Sequence, residues 1–285
     1  LLKTMGEGKD GFFWEYMEIP QKNDDNALEM YTLQCRNHIL KPLAEKYGID
    51  TSDEAIRAAV EQHNEVCRLI RAIGDFRKEA NPRVTGYEFH ILTLVSYVAP
   101  KHLIVDKLRE TLEEIKTREP DAADKYRARV VFVGSEVDDV DVIRLVEESG
   151  AYVCADRFCY GSLPGRDEIL LNDDEDVVKQ VCRQVQGRAQ CPRYWDMAKM
   201  TGRRDYVADL AKEYGADGII YEQMKFCDPW AYERMIGTIV LRDEHGYPVL
   251  AVDRPYSIGS SGQMRTRVQA FVESIEIKKI QGGKK

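Results

Sequence analysis

The sequence lacks several features that would assign it to a common class of protein. It contains no P-loop, so nucleotide hydrolysis is not expected, and its five histidines show no HExxH pair or other metal-binding spacing. No apolar run approaches the roughly 20 residues that a membrane span needs, and no charged-then-apolar export signal is present. We therefore expect a cytoplasmic protein with no membrane partner.

Basic residues are too few for a nucleic-acid-binding surface. The 41 Lys and Arg residues are outnumbered by 49 Asp and Glu residues, the formal net charge is −8, and no basic stripe stands out. The seven cysteines include no CxxC pair. In a chain without an export signal they are expected to be free thiols, buried hydrophobic groups or metal ligands rather than disulfides.

Residues 1–125 read as a mostly helical region that follows one strand. The run FFWEYMEI predicts a strand over Phe12–Ile19, which Pro20 stops. Apolar residues then recur at helical spacing, which predicts helices over 26–47, 52–73, 85–98 and 101–117. Because the chain has no Met at position 1 and opens close to a strand, we expect this region to be the remainder of a truncated N-terminal α/β lobe.

Residues 126–285 alternate short β-rich segments with helical patterns. The four segments VVFVGS, AYVCADR, GIIYE and VLAVD predict strands, each followed by a helix. Since right-handed crossovers are strongly favoured, this alternation predicts a flavodoxin-like α/β domain with a parallel four-stranded sheet. The loops that follow the four strands should meet at one edge of the sheet, and a site built from this chain should lie there.

Three cysteines are candidates for chemistry at that edge. Cys227 lies in the loop after the third strand, ahead of a helix that starts at Asp228-Pro229, where the helix N-terminus should lower the thiol pKa. Cys154 and Cys159 flank the end of the second strand, and with Cys227 they could form three thiolates around an iron–sulfur centre. The alternative is that Cys154 is a buried strand residue and Cys159 a loop residue without function.

The other cysteines are interpreted as structural. Cys35, Cys67 and Cys182 lie within helical patterns, where a free cysteine usually packs as a small hydrophobic group. Cys191 precedes Pro192 at an expected helix start, which would stabilise a thiolate, but it has no partner in the sequence. These four are therefore not expected to form the site.

A second candidate segment precedes the last helix. Ser260, Ser261, Gly262 and Gln263 would present free backbone N–H groups there, and such groups attract a phosphate or a carboxylate. Simple capping of the helix by a serine is the alternative interpretation.

Three segments together resemble one enzyme family. They are YEQMKFCDPWAYE (221–233), GYPVLAVDRPYS (246–257) and SSGQMRTRVQAFVE (260–273). They resemble the carboxy-terminal half of 2-hydroxyacyl-CoA dehydratase and benzoyl-CoA reductase subunits, of the 2-hydroxyglutaryl-CoA dehydratase D-component type. WEYMEIPQKND (14–24) and the helical stretch after it are similar to the middle of those subunits. The resemblance covers essentially the whole chain.

The resemblance implies a site that this chain only partly contains. Family subunits have two flavodoxin-like lobes and hold a [4Fe–4S] cluster on three cysteines, of which Cys227 corresponds to the last. The other two would belong to a lobe upstream of Leu1, and Cys159 is at most a neighbour of the cluster. One departure is that the family tends to have Glu-x-Asp-Tyr after the fourth strand, where this chain has Asp253-Arg254-Pro255-Tyr256. The role of that loop stays open.

The resemblance also implies an activity and its partners. Such subunits act on an acyl-CoA, pair with a related second subunit in a heterodimer or larger assembly, and receive an electron from an ATP-dependent iron–sulfur activator protein. In the dehydratase, an anaerobic lyase, the electron converts the thioester carbonyl into a ketyl radical that expels the 2-hydroxyl group. The alternatives are a benzoyl-CoA reductase-like oxidoreductase subunit and a non-catalytic electron-transfer subunit.

Overall fold

The computed structural model describes residues 14–120, 125–188, 190–194, 197–256 and 261–282. Its helices are α1 Asp25–Cys35, α2 Lys41–Tyr47, α3 Asp53–Asp75, α4 Gly86–Val98, α5 Lys101–Thr117, α6 Val140–Glu148, α7 Val177–Arg188, α8 Met197–Glu213, α9 Asp228–Asp243 and α10 Ser261–Gly282. Its strands are β1 Ala128–Val133, β2 Ala151–Arg157, β3 Gly218–Met224 and β4 Val249–Arg254. The five-residue π-helical segment Arg36–Leu40 joins α1 to α2.

The strands form one parallel sheet in the order β2-β1-β3-β4. β1 pairs with β2 on one side and with β3 on the other, and β4 extends the sheet beyond β3. The order therefore reverses between β1 and β3, which opens a crevice at the carboxyl ends of these strands. The predicted α/β class and flavodoxin-like parallel sheet, preceded by a mostly helical region, are confirmed.

Strands β1, β2 and β3 are buried on both faces over most of their length, as expected for a parallel sheet covered by crossover helices. Side chains of β1 alternate between the faces with a period of two. One face packs against α6 and α10, through Val130, Phe132, Val146, Val268 and Val272. The opposite face packs against α8 and α9, through Val131, Ile219, Ala211, Trp230 and Leu241. Cys227 packs against the core on this second face.

A buried carboxylate connects the helical region to the sheet. Glu147, near the end of α6, accepts hydrogen bonds from the backbone N–H groups of Gly86 and Tyr87 at 2.8 and 3.1 Å and of Val153 at 3.2 Å. It thereby caps the first turn of α4 from outside that helix. Burial raises the pKa of Glu147 to about 7, although these N–H groups act in the opposite direction. A Cβ atom at position 86 would lie 2.7 Å from the backbone oxygen of Val153, so this approach requires glycine.

The sequence predictions fail at the chain's beginning and hold for most helices. The predicted strand over Phe12–Ile19 is absent from its described part, since residues 14–20 are in no regular element; residues 12 and 13 lie outside the described range. Within the described residues, neither edge strand of the sheet, β2 or β4, pairs with that segment. The division of the chain near residue 125 stays a prediction. Within the described residues, no helix has the length and apolar character required to cross a membrane.

Candidate functional site

Glu222 lies at the centre of the carboxyl edge of the sheet. Its side chain is fully buried at the end of β3. Its Oε2 atom accepts hydrogen bonds from the backbone N–H and the hydroxyl of Ser135, at 3.0 and 2.9 Å. The Ser135 hydroxyl oxygen in turn accepts the N–H of Met224 at 2.6 Å. A Cβ atom at Gly134 would overlap Glu222, so the loop after β1 can lie this close only with glycine.

Arg254 completes this edge from β4. Its Nε atom lies 2.9 Å from Oε1 of Glu222, and both side chains are buried, although this pair of atoms is not in hydrogen-bonding geometry. The Arg254 guanidinium also donates to the backbone oxygens of Glu136, Pro255 and Tyr256. Arg254 thus connects the loop after β4, which departs from the family pattern, to the loop after β1. The contacts confirm that the loops after these strands share one edge.

Burial dominates the ionisation of Glu222. It raises the pKa of the carboxyl to about 7, while Arg254 and the hydrogen bonds from Ser135 oppose that shift. A carboxyl whose pKa is higher in the folded than in the unfolded protein binds its proton more tightly when folded. Glu222 therefore favours the folded state below its ordinary pKa, and this contribution declines as the pH rises through 7.

We expect the replacement Glu222→Gln to remove part of the pH dependence of stability. The amide keeps the shape and an acceptor oxygen for Ser135 but does not titrate. Between pH 4.5 and pH 8 the free energy of unfolding of the wild-type protein should fall relative to that of the variant, by up to about 3 kcal/mol for a shift of this size. Urea unfolding at several pH values measures this difference.

Glu273 in α10 offers a matched control because its side chain is exposed. Glu273→Gln should leave the pH profile of the wild-type protein unchanged. Glu147 contributes a similar slope to all three proteins, so only the differences between them are informative. Parallel profiles for the wild-type protein and Glu222→Gln would show that Glu222 is ionised throughout this pH range.

Cys227 is the N-cap residue of α9, at the same edge of the sheet. Its backbone N–H donates to Met224, and its thiol is not used as a helix cap. The nearby backbone N–H of Trp230 lowers the pKa of the thiol, but burial is the larger effect and raises that pKa. The expected lowering of the Cys227 pKa by the helix N-terminus is thus outweighed by desolvation. The preceding residue, Phe226, is 97% exposed and has a φ of 71°.

Cys159 and Cys191 pack near Cys227 against the same hydrophobic core. The backbone N–H of Cys159 donates to Ser135, and the Trp230 side chain lies beside its thiol. Burial raises the pKa of the Cys159 thiol to about 12, with Trp230 opposing. Cys191 lies before α8, not at its first turn. Nevertheless, the described residues contain no group of three His, Cys, Asp or Glu side chains that could hold a metal ion.

The remaining cysteines lie away from this edge. Cys154 is fully buried in β2 and donates to the Val130 oxygen, as expected for a structural strand cysteine, and Cys67 is buried in α3. Cys35 and Cys182 contact each other, with 3.5 Å between their sulfur atoms, where α1 packs on α7. The three-thiolate interpretation that included Cys154 therefore has no support in this geometry.

A large cavity lies next to Cys227. Its volume is about 710 Å³, and the two residues after Cys227, Asp228 and Pro229, line it together with apolar parts of Tyr232 and Ile236. Its charged wall is a buried ion-pair group in which Glu233 lies 3.2 Å from Arg203 and 3.1 Å from Arg204. The volume is in the usual range for a small-molecule site. This arrangement suits a ligand with an apolar part.

The segment before α10 is only partly described. Ser260 and the side chain of Ser261 lie outside the described residues, and α10 begins at Ser261. The Gly262 oxygen accepts the hydroxyl of Thr266, and Gln263 borders a small cavity that Arg254 also lines. An anion at this segment stays a prediction.

Sequence patterns place Glu222 and Arg254 in the loops at the crevice, but they do not identify the two as a buried pair. They predict a third strand that ends by Glu222, at the start of a crevice loop, whereas β3 continues to Met224 and carries Glu222 into the interior. The available signal is the position of one acidic and one basic residue at the ends of neighbouring strands. Charged residues at strand ends are usually solvated, so this signal alone is weak.

The family of the chain follows from comparison with known sequences. The sequence profile described as "2-hydroxyglutaryl-CoA dehydratase, D-component" matches residues 4–275. The chain belongs to this family. The resemblance read from the KFCDP and GQxxTRxxAF segments is thereby confirmed.

Family relatives include subunits of two kinds of enzyme. The chain is 25% identical to the (R)-phenyllactyl-CoA dehydratase beta subunit of Clostridium sporogenes, covering 90% of this chain and 67% of the relative. It is 24% identical to the (R)-2-hydroxyglutaryl-CoA dehydratase subunit beta of Acidaminococcus fermentans, covering 91% and 68%. It is also 24% identical to a benzoyl-CoA reductase subunit of Thauera aromatica, covering 96% and 70%. The chain of this dehydratase-family protein thus spans about two thirds of these relatives.

Proposed function

We propose that the chain is a subunit of an iron–sulfur 2-hydroxyacyl-CoA dehydratase, which removes water from an acyl-CoA through a ketyl radical. The position of Cys227 carries this proposal: a half-buried thiol at the start of α9, at the crevice edge, beside a cavity of about 710 Å³. Membership of the family and the two dehydratase relatives support it.

The Cys227 side chain fits one ligand of a [4Fe–4S] cluster. Such clusters are held by cysteine thiolates, and hydrogen bonds to sulfur tune their potentials. The Cys227 sulfur accepts no helix-cap hydrogen bond, and the nearby Trp230 N–H lowers the pKa of its thiol. As the family resemblance implies, the other two ligands would come from a part of the relatives that this chain does not span. Cys159 is a neighbour in this arrangement.

The other groups at the edge would bind and orient the substrate. The cluster would supply a low-potential electron to the thioester carbonyl of the bound substrate. The apolar wall at Tyr232 and Ile236 suits the acyl group, and the segment Ser260–Gln263 is the proposed contact for an anionic part of the coenzyme. A related second subunit would complete the enzyme, and an ATP-dependent iron–sulfur activator protein would deliver the electron.

One relative favours a second candidate activity. The benzoyl-CoA reductase subunit matches a slightly larger share of this chain than the dehydratase subunits do. A subunit of that type would reduce an aromatic acyl-CoA rather than remove water. The same edge and cavity would serve either reaction, so the substrate decides between them.

Activity assays on the complete protein test the two candidate activities and a third, non-catalytic role in electron transfer. The protein is purified anaerobically with its partner subunit, and iron and acid-labile sulfide are measured. It is then incubated with activator protein and ATP, and with either a 2-hydroxyacyl-CoA or benzoyl-CoA. We expect bound iron and formation of the unsaturated acyl-CoA. Reduction of benzoyl-CoA alone would select the second candidate, bound iron without turnover would indicate a non-catalytic electron-transfer subunit, and absence of iron would reject all three.

A further inference from the structure

A second large cavity lies away from Cys227, beside the outer strand of the sheet. Its volume is about 640 Å³, and neither Cys227 nor Glu222 lines it. Its walls are the carboxyl end of β2, the loop that follows β2, and parts of α3, α7 and α8. Cavities at the carboxyl ends of parallel strands are where α/β proteins bind ligands.

The wall of this cavity contains a buried arginine without a carboxylate partner. Arg157, the last residue of β2, is only 4% exposed and forms no ion pair among the described residues. Its Nη1 atom donates to the Ser162 oxygen at 2.5 Å, its Nε atom has no hydrogen-bond partner among those residues, and its guanidinium lies 4.2 Å from the ring centroid of Tyr206. A buried charge without a counter-charge is costly, so a bound anion would stabilise it.

A second arginine faces the same cavity from α7. Arg188 donates to the backbone oxygens of Asp167 and Glu168 and to the Gln184 side chain, but it forms no ion pair within the described part of the chain. Hydrogen bonds to neutral oxygens leave its positive charge uncompensated. Two guanidinium groups on the wall of one cavity suit the binding of a phosphate.

The other arginines of the cavity each have a carboxylate partner. Arg77 lies 3.0 Å from Asp156, and Arg166 lies 3.6 Å from the same carboxylate. Arg71 is paired with Asp167 and Glu168. Asp156, although it adjoins Arg157 in the chain, is thus engaged with two other arginines. Arg157 and Arg188 are therefore the arginines of this cavity that have no carboxylate partner among the described residues.

We propose that this cavity binds a phosphate ester of nucleotide size, with Arg157 and Arg188 contacting its phosphate. The volume far exceeds the space that a single phosphate fills, and it is within the range of sites for nucleotide-sized ligands. A nucleotide and coenzyme A share this chemistry. The anion site stands apart from the proposed dehydratase activity, and each has its own test.

Calorimetric titration of the complete protein, purified anaerobically with its partner subunit, tests the site. ADP, coenzyme A and inorganic pyrophosphate are the three probes. We expect at least one ester to bind more tightly than pyrophosphate, and Arg157→Met to weaken its binding at least tenfold, because a charge-assisted contact in a buried site is lost. Arg71→Met is the matched control: it lines the same cavity, but its charge is already paired, so affinity should change less than about threefold.

Stability in the absence of ligand provides a second readout. If Arg157 serves an anion, Arg157→Met should unfold at the same temperature as the wild-type protein or higher, since it removes an uncompensated buried charge. A clearly lower temperature would indicate a purely structural role for Arg157 and would overturn the proposal. If Arg157→Met does not fold, the binding test is made with Arg188→Met instead, because Arg188 is only half-buried.

Other outcomes also decide the matter. The site is rejected if none of the three probes binds, or if the ester binds to Arg157→Met and Arg188→Met as it does to the wild-type protein. Pyrophosphate that binds as tightly as both esters would overturn the assignment to an ester. Ester binding that depends on these two arginines, in a protein without dehydratase or reductase activity, would support the anion site while the proposed function failed.

Discussion

Replacement of Cys227 by alanine is expected to abolish most of the activity of the complete enzyme and to lower its iron content. Loss of a group that merely orients a metal ligand costs about 10- to 100-fold in metal affinity or activity, so loss of a ligand should cost at least as much. The thiol is half-buried, and it does not cap α9, so alanine should leave the helix start intact. Iron and sulfide analysis of the anaerobically purified variant, with circular dichroism to verify folding, makes the measurement.

Two neighbouring cysteines provide matched controls. Cys159 and Cys191 pack against the same core as Cys227, so Cys159→Ala and Cys191→Ala test the cost of losing a thiol from this neighbourhood. Both variants should retain the iron content of the wild-type protein. If Cys227→Ala also retains it, Cys227 is not a ligand. If instead all three variants lose iron, a local cysteine group holds the cluster, and the assignment of ligands outside the described residues is wrong.

Helix bounds were predicted well where the pattern was local. The helix over Lys101–Thr117 was placed at both ends, because Pro100 and the charged amphipathic pattern fix it within a single segment. The sequence places the start of α3 one residue too early: it predicts a helix from residue 52, but Ser52 is the N-cap, and its hydroxyl accepts the N–H of Ala55. The sequence does not predict the π-helical segment Arg36–Leu40, because the helical spacing of apolar residues continues through it.

The strand at the beginning of the chain shows what a local pattern cannot supply. A run of aromatic and β-branched residues such as FFWEYMEI favours extended backbone, but a strand exists only where a neighbouring strand satisfies its N–H and C=O groups. Within the described residues, the sheet ends at β2 and β4, and 14–20 is paired with neither. The four strands of the sheet were predicted because alternation with helices constrains them together.

The site was only partly predictable for the same reason. The alternation of strands and helices is visible in the sequence, and it places Cys227 in the loop after β3. The pairing of Glu222 with Arg254 cannot be found in this way, because each is a charged residue that becomes buried only when β3 and β4 pair. The direction of the Cys227 pKa shift was also mistaken: a helix terminus acts locally and is visible in sequence, whereas desolvation depends on the assembled core.

Asp156 is another buried charge that sequence patterns did not single out, and Asp156→Asn is expected to destabilise the protein by about 3–5 kcal/mol. That is the usual cost of removing one partner of a buried ion pair, because the other charge is left without compensation. Asp156 is 5% exposed; it lies 3.0 Å from Arg77, whose side chain is 3% exposed, and it accepts the N–H of Ser162 at 2.7 Å. Urea unfolding of the wild-type protein and the variant near pH 7 measures the difference.

The stability that the Asp156 ion pair contributes should depend on pH in a defined direction. Burial alone would raise the pKa of Asp156, but Arg166 and Arg77 together hold it at about 2, below the ordinary value of 3.8. The ion pair therefore contributes fully above the ordinary pKa, and its contribution is lost as the pH falls from about 4 towards 2. The difference between wild-type protein and Asp156→Asn should shrink over that range.

Asp106→Asn is the control, because Asp106 pairs with Arg109 on the surface at 77% exposure and should contribute less than about 1 kcal/mol. A loss at Asp156 no larger than the loss at Asp106 would mean that Arg77 finds another partner, and that the loop after β2 does not depend on this pair.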